Sequence, residues 1–306
     1  MPHAQTPGVD CWVNYYQPPN PGSVPDQNDM ALMLGDKDMI ARLMRINNAR
    51  GLESRFSLER NGIQFEKLQT SLQDFSDPEQ IKAVYFPEVQ DLVKRVTGAR
   101  EVFVYDHNVR RAPGNDFGAH VKGYQGIQGP AKRIHVDATP EGAESIMRFM
   151  CKDMDVDQIK ERGFHLINIW RPLKKIDRDP LIVADAAKMP VEDLVRINRS
   201  YFNGLTNSNF VTKYDGQNGS VKTLDEEGSW HFHDDGNDVA DGFSHGGEHD
   251  WWYWGGQEPD EAILFSSSRV LPDDVRTGTV HGSCPLPDQE GKEVRMSVEC
   301  RVIAMF

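Results

Sequence analysis

The stretch Lys132-Arg133-Ile134-His135-Val136-Asp137-Ala138-Thr139-Pro140, KRIHVDATP, decides how the rest of the chain is read. Its centre is apolar and strand-like, and side chains two apart on a strand leave it on the same face. His135 and Asp137 therefore converge, and an imidazole beside a carboxylate can supply two ligands of a 2-His-1-carboxylate iron site. The third ligand has to come from a distant part of the chain. The best candidate is His281, in Gly278-Thr279-Val280-His281-Gly282-Ser283-Cys284. Beyond it comes Arg295-Met296-Ser297, again spaced to share a face: a guanidinium fork suited to a carboxylate, with a hydroxyl alongside. This order predicts iron together with an acidic cosubstrate, a 2-oxo acid, and open positions on the metal for dioxygen.

Outward from these residues the chain reads as many short strands, with helices mostly in the first half. Strand-like runs cover residues 11–16, 55–58, 62–68, 101–106, 164–173, 181–184, 261–266, 276–281 and 294–303, and Asn61-Gly62 has the chemistry of a hairpin turn. Helical spacing is found over 36–48 and over 140–151. A third helix starts at Ser76-Asp77-Pro78-Glu79, is kinked or split at Pro87, and ends near Gly98. The expected fold is mainly β with helical decoration, a jelly roll, in a single domain spanning residues 1–306. Residues 203–249 are polar and glycine-rich and read as a lid or insertion.

A net charge of -13 and the absence of a basic patch argue against nucleic-acid or anionic-membrane binding. No apolar run approaches the roughly 18 residues of a membrane span, and the first residues lack the pattern of a signal peptide. The four cysteines, Cys11, Cys151, Cys284 and Cys300, are scattered, as free thiols of a reducing compartment are. The expectation is a soluble, cytoplasmic protein.

A rival metal site is Trp230-His231-Phe232-His233-Asp234-Asp235 with His245 and His249. It sits in the polar excursion, where support for ligands is poor, so a substrate-facing lid is the more economical reading. In Trp251-Trp252-Tyr253-Trp254, Trp252 and Trp254 share a face, either as core or as an apolar wall for a hydrophobic substrate. Asn168 shares a face with Trp170 and either braces the site or binds substrate. Arg171 is a second anion anchor or the partner of Asp177 or Asp185.

With these residues in hand, the chain resembles the hydroxylase/desaturase-like proteins of secondary metabolism. These include gibberellin-desaturase-like proteins, the cephamycin 7α-methoxylase component and fungal meroterpenoid endoperoxide-forming enzymes. The stretches that carry the resemblance include FSLERNGIQFEKLQTSLQDF, VYDHNVRR, IHVDATPEGA, NIWRPL, WWYWGGQEPDEAILF and VRMSVECRVIAMF, in the same order along most of the chain. The resemblance implies an iron(II)- and 2-oxoglutarate-dependent dioxygenase on a double-stranded β-helix, a cupin-like core. Its iron would sit on His135, Asp137 and His281, with 2-oxoglutarate on Arg295, to which the spacing of Arg295-Met296-Ser297 adds the Ser297 hydroxyl. Its substrate would be a hydrophobic small molecule, and a homodimer is compatible. Ser266-Ser267-Ser268-Arg269, Gly282-Ser283-Cys284 and residues 231–249 depart from the family pattern. The alternative readings are a non-catalytic accessory protein of such a pathway, or a metal enzyme built on His231 and His233.

Overall fold

The structure, a computed structural model, describes residues 8–18, 20, 38–111, 129–200, 205–214, 221–224, 230–233 and 249–306. Strands β1 (Val9–Tyr16) and β2 (Met39–Asn48) pair antiparallel along their length. Of the helix expected over 36–48, residues 36–37 lie outside the described residues, and 39–48 are therefore a strand. Its alternate residues Ile40, Met44 and Ile46 enter one apolar cluster, and β1 satisfies its backbone, so tertiary pairing outweighs helical spacing.

The hairpin expected at Asn61-Gly62 is also absent. Ser57 caps a short helix, α1 (Leu58–Asn61), by accepting the Arg60 N–H, and Gly62 ends it at φ +70°. The following strand, β3 (Ile63–Lys67), pairs with a distant partner instead. Helix α2 joins Pro78–Gln80, a π-helical stretch Ile81–Tyr85 and Phe86–Thr97, which opens at Pro87. Asp77 caps it and Gly98, at φ +71°, closes it.

The chain continues through β4 (Glu101–Arg110), β5 (His135–Val136), α3 (Pro140–Met150), α4 (Val156–Arg162), β6 (Phe164–Pro172), β7 (Leu181–Ala184) and β8 (Leu194–Ser200). Then follow β9 (Thr206–Thr212), β10 (Val221–Leu224), β11 (Trp230–His233), β12 (Trp251–Tyr253), β13 (Glu261–Leu271), β14 (Asp274–Thr277), β15 (His281–Ser283) and β16 (Ser297–Met305).

Among the described residues these strands form two sheets. The larger runs β11-β10-β2-β12-β7-β15-β5-β9-β8, with β1 on β2; the smaller runs β14-β13-β6-β16-β4, with β3 on β13. The result is the mainly β jelly roll with helical decoration. Part of the 203–249 stretch belongs to it: β9 pairs with β5 and β8, and β10 with β2 and β11. The lid expected there falls mostly outside the described residues.

Alternation on β6 fixes the layers. Ile167 and Ile169 pack against Val89, Leu92 and Val93 of α2 on the outside. Trp170 packs inward in one cluster with Val183 of β7, Trp252 of β12 and Phe265 of β13, so that cluster is the seam between the sheets. At one end of the seam, Arg50 grips Glu261 with two bonds of 2.7 and 2.8 Å. Burial would raise the Glu261 carboxyl, but Arg50, the Glu258 N–H and Lys67 overcome it and hold the group down at about 2 from its ordinary 4.5. A depressed carboxylate stabilises the fold above its ordinary value and loses that contribution as pH falls toward 2. Glu261→Gln should cost about 2 kcal/mol near neutral pH. In urea melts that gap should close as the pH is taken from 4.5 down to about 2.

Candidate metal centre and its anion pocket

His135 on β5 lies directly opposite His281 on β15, which is in turn opposite Val183. Cross-strand partners share a face, and Val183 faces the seam, so both imidazoles do too. Their ring centroids are 4.4 Å apart, and Phe265 of the facing sheet lies 4.4 Å from His281. Asp137, two residues after His135, turns its carboxylate to the same point. The ligand atoms of His135, Asp137 and His281 all lie within 4.8 Å of one another, and no other such group of three is found among the described residues.

The second nitrogen of each ring is already committed. His135 Nδ1 lies 2.9 Å from the Arg133 carbonyl, and His281 Nδ1 lies 3.1 Å from the Thr279 carbonyl. A carbonyl only accepts, so each Nδ1 carries a proton and each Nε2 is the nitrogen left for the site. His135 Nε2 faces Asp137 Oδ1 at 3.3 Å. An imidazole nitrogen and a carboxylate oxygen at that separation hold a cation between them, a proton or a metal ion. Burial, with the neighbouring His135 next, pushes His281 down to about 3, so its imidazole is neutral at physiological pH.

The other oxygen of Asp137 is clamped. Oδ2 accepts from Asn168 Nδ2 at 2.6 Å and from Arg301 Nε at 3.3 Å. Asn168 Oδ1 in turn accepts from Ser267 at 2.6 Å. Arg301 also bonds Asp106 at 2.7 Å and Glu299 at 2.6 Å. Burial would raise the Asp137 carboxyl, but the Arg301 guanidinium, the largest of the opposing influences, holds it well below the usual carboxylate range.

Beside these residues a polar cavity is lined by Arg110, Trp170, Arg295, Glu299 and Arg301 together with His135 and His281. The Arg295 guanidinium lies over Trp170, 5.4 Å from the ring centroid, and donates from Nη1 to the Asp179 carbonyl at 2.7 Å. Its Nε and the Ser297 Oγ are buried with no hydrogen-bond partner among the described residues. Burial, then the nearby Arg110, pushes Arg295 down to about 9, which leaves it a cation at neutral pH. A buried cation with an unused Nε in a cavity shared with His135 and His281, and an unused hydroxyl two residues further along the chain, are a donor set for an anion bound beside a metal. A larger cavity of about 400 Å³ shares the 130–132 and 282–284 walls and includes Trp12, Lys132, Lys222 and Cys284.

Of the other expected site residues, Asn168 is at the centre, and its amide is used on Asp137 and Ser267. Arg171 is not brought there. It leaves β6 on the opposite face, with its guanidinium 5.5 Å from the Phe75 ring and 5.8 Å from Tyr85. Trp252 and Trp254 are core, 8% and 4% exposed, packed with Phe56 and Phe65, so the cavity's aromatic wall is Trp170. In the rival cluster, His231 is exposed on β11 and His249 is buried between Tyr15 at 3.1 Å and Asp193 at 2.9 Å. Asp234, Asp235 and His245 lie outside the described residues.

Sequence reasoning stopped at Ser297, yet Arg295-x-Ser297-x-Glu299-x-Arg301 continues at strand spacing with Met296, Val298 and Cys300 between. That alternation was the available signal for the remaining polar groups.

Two imidazoles and one carboxylate converging on a jelly-roll seam are the ligand set of the non-haem iron oxygenases. Comparison with known proteins gives the family. A family profile described as "Oxidoreductase/YMDC permease-like domain" matches residues 13–237. Oxidoreductase AN1597 of Emericella nidulans is 48% identical over 276 residues, 90% of this chain and 88% of that protein. The alpha-ketoglutarate-dependent dioxygenase phiK of a fungal species is 30% identical over the full length of both chains (100% of each). Among solved structures, the iron and alpha-ketoglutarate-dependent endoperoxidase NvfI has the same fold, with a TM-score of 0.69 over 100% of this chain and 99% of that one at 20% identity. The chain belongs to the family of iron(II)- and 2-oxoglutarate-dependent oxygenases of fungal secondary metabolism, and its cofactors are iron(II), 2-oxoglutarate and dioxygen.

Proposed function

We propose that His135, Asp137 and His281 hold the iron, and that Arg295 and Ser297 hold the distal carboxylate of 2-oxoglutarate. The observation that carries this reading is the pairing of two imidazoles with a carboxylate inside 4.8 Å, beside a buried guanidinium whose Nε has no partner among the described residues. Iron(II) with 2-oxoglutarate and dioxygen supplies an oxidation able to remove hydrogen from an unactivated C–H bond. The chain's part is to orient the ligands through Arg133, Thr279, Asn168 and Arg301, to fix the cosubstrate, and to exclude water with the Trp170 wall.

The substrate on this reading is a hydrophobic small molecule of secondary metabolism, oxidised by hydroxylation, desaturation, cyclisation or endoperoxide formation. Relatives named as a gibberellin cluster GA4 desaturase and as hydroxylase/desaturases support that range. Both sheets contribute to the site, which supports one oxygenase domain over the whole chain. No helix among the described residues is long and apolar enough to cross a membrane. The four buried free thiols support a reducing, cytoplasmic setting.

Anaerobic addition of iron(II) and 2-oxoglutarate should produce a weak visible charge-transfer band and, with air and substrate, succinate. Arg295→Gln should raise the 2-oxoglutarate concentration for half-maximal band intensity by about 10- to 100-fold while iron binding persists. An unchanged titration would remove Arg295 from the site.

A further inference from the structure

The cavity holds a second guanidinium that the established chemistry does not use. Arg110, the last residue of β4, is the register partner of Ser297 on β16. Their side chains therefore leave the small sheet on the same side, two residues along from Arg295. Arg110 and Arg295 line the same cavity as His135 and His281.

Both guanidiniums are satisfied only in part, and by neutral groups. Arg110 Nη1 donates to the Gly129 carbonyl at 2.7 Å, and Arg295 Nη1 to the Asp179 carbonyl at 2.7 Å. Neither forms an ion pair among the described residues. Arg301, in the same lining, is the contrast: it meets Asp106, Glu299 and Asp137. Burial lowers both unpaired arginines, and Arg110 adds its repulsion to Arg295. Two desolvated cations in one cavity, neither ion-paired while Glu299 is taken up by Arg301, are an unfavourable arrangement that a bound anion would relieve. The Ser297 hydroxyl, on the register partner of Arg110 and without a hydrogen-bond partner among the described residues, supplies a further donor.

We propose that Arg110 is a second guanidinium on the distal carboxylate of 2-oxoglutarate, so that Arg110, Arg295 and Ser297 form a grip selecting a dicarboxylic over a monocarboxylic 2-oxo acid. This rests on the reading of Arg295 given above and adds a residue to it. The grip explains why the cavity tolerates three arginines against Glu299 and Asp137: the one excess positive charge is met by the bound carboxylate, held between two forks that each offer parallel N–H donors.

The test is calorimetric titration of the full chain loaded with Mn(II), without turnover, using 2-oxoglutarate and 2-oxobutyrate, which lacks the distal carboxylate. In Arg110→Gln the dissociation constant for 2-oxoglutarate should rise about 10- to 100-fold, with 2-oxobutyrate changed by less than about twofold. Arg110→Lys keeps the charge without the fork and should lose about three- to tenfold for 2-oxoglutarate alone. It decides the matter if Arg110→Gln does not fold. Unchanged 2-oxoglutarate affinity, or equal losses for both acids, in the folded variant would overturn the proposal. If Arg295→Gln abolishes the preference for the dicarboxylate while the Arg110 variants keep it, the inference about Arg110 fails and the cosubstrate site stands. If the unaltered protein shows no such preference, the reading of Arg295 fails first, and the inference about Arg110 falls with it.

Discussion

Asp137→Ala and His135→Ala should each lower succinate formation by about a thousandfold or more, the equivalent of about 4 kcal/mol in the barrier. Asp137 brings the one negative charge among the three proposed ligands. Its Oδ1 stands 3.3 Å from His135 Nε2, so removing it takes away both a donor and the charge that offsets a divalent ion. Losing His135 leaves His281 and Asp137 as a two-point site that a first-row metal binds weakly and without fixed geometry. Cobalt(II) titration followed by visible absorption should show loss of the protein-bound spectrum in both variants. His231→Ala, exposed on β11, should bind one metal ion per chain as the unaltered protein does. Full turnover retained by both ligand variants would sink the assignment.

Arg301→Leu should have the largest effect on stability. Its guanidinium reaches Asp137 at 3.3 Å, Asp106 at 2.7 Å and Glu299 at 2.6 Å. Of these, Glu299 is 6% exposed. Removing the cation leaves a buried carboxylate uncompensated, which costs about 3–5 kcal/mol. It also frees Oδ2 of Asp137 from one of its two restraints, and metal affinity should fall by about 10- to 100-fold. Asn168→Ala removes the other restraint, at 2.6 Å, but strands no charge. Metal affinity should therefore drop by a similar factor with a smaller loss of stability, about 1–3 kcal/mol. Chemical denaturation of the metal-free proteins separates the two. Equal stability of Arg301→Leu and the unaltered chain would mean that Glu299 finds another partner.

Some of the misread segments fail for a common reason. Residues 39–48 carry apolar side chains at spacings that suit a helix and, on alternate positions, a strand; pairing with β1, β10 and β12 decided between them. Ser57 and Gly62 hold the signals of a helix cap and stop, yet Asn61-Gly62 also suits a hairpin, and the absence of a strand before it was a long-range matter. Residues 206–212 are polar because β9 buries Asn207, Ser208 and Asn209 at the junction with α3: Asn207 donates to the Asp137 carbonyl and Ser208 bonds Thr139. A buried polar strand gives no periodic apolar signal.

The order of residues by itself determined the mainly β architecture, the convergence of His135 and Asp137, and the kinds of groups at the site. Those depend on alternation within a strand, which is local. Only the tertiary structure decided that Asn168 looks toward Asp137 while Arg171 looks away, that Trp252 and Trp254 are core, and that Arg301 and Arg110 meet the cavity. Such facing is set by pairing between strands more than a hundred positions apart, as β6 with β16, and a slip of one residue in that register would reverse every side chain on the strand.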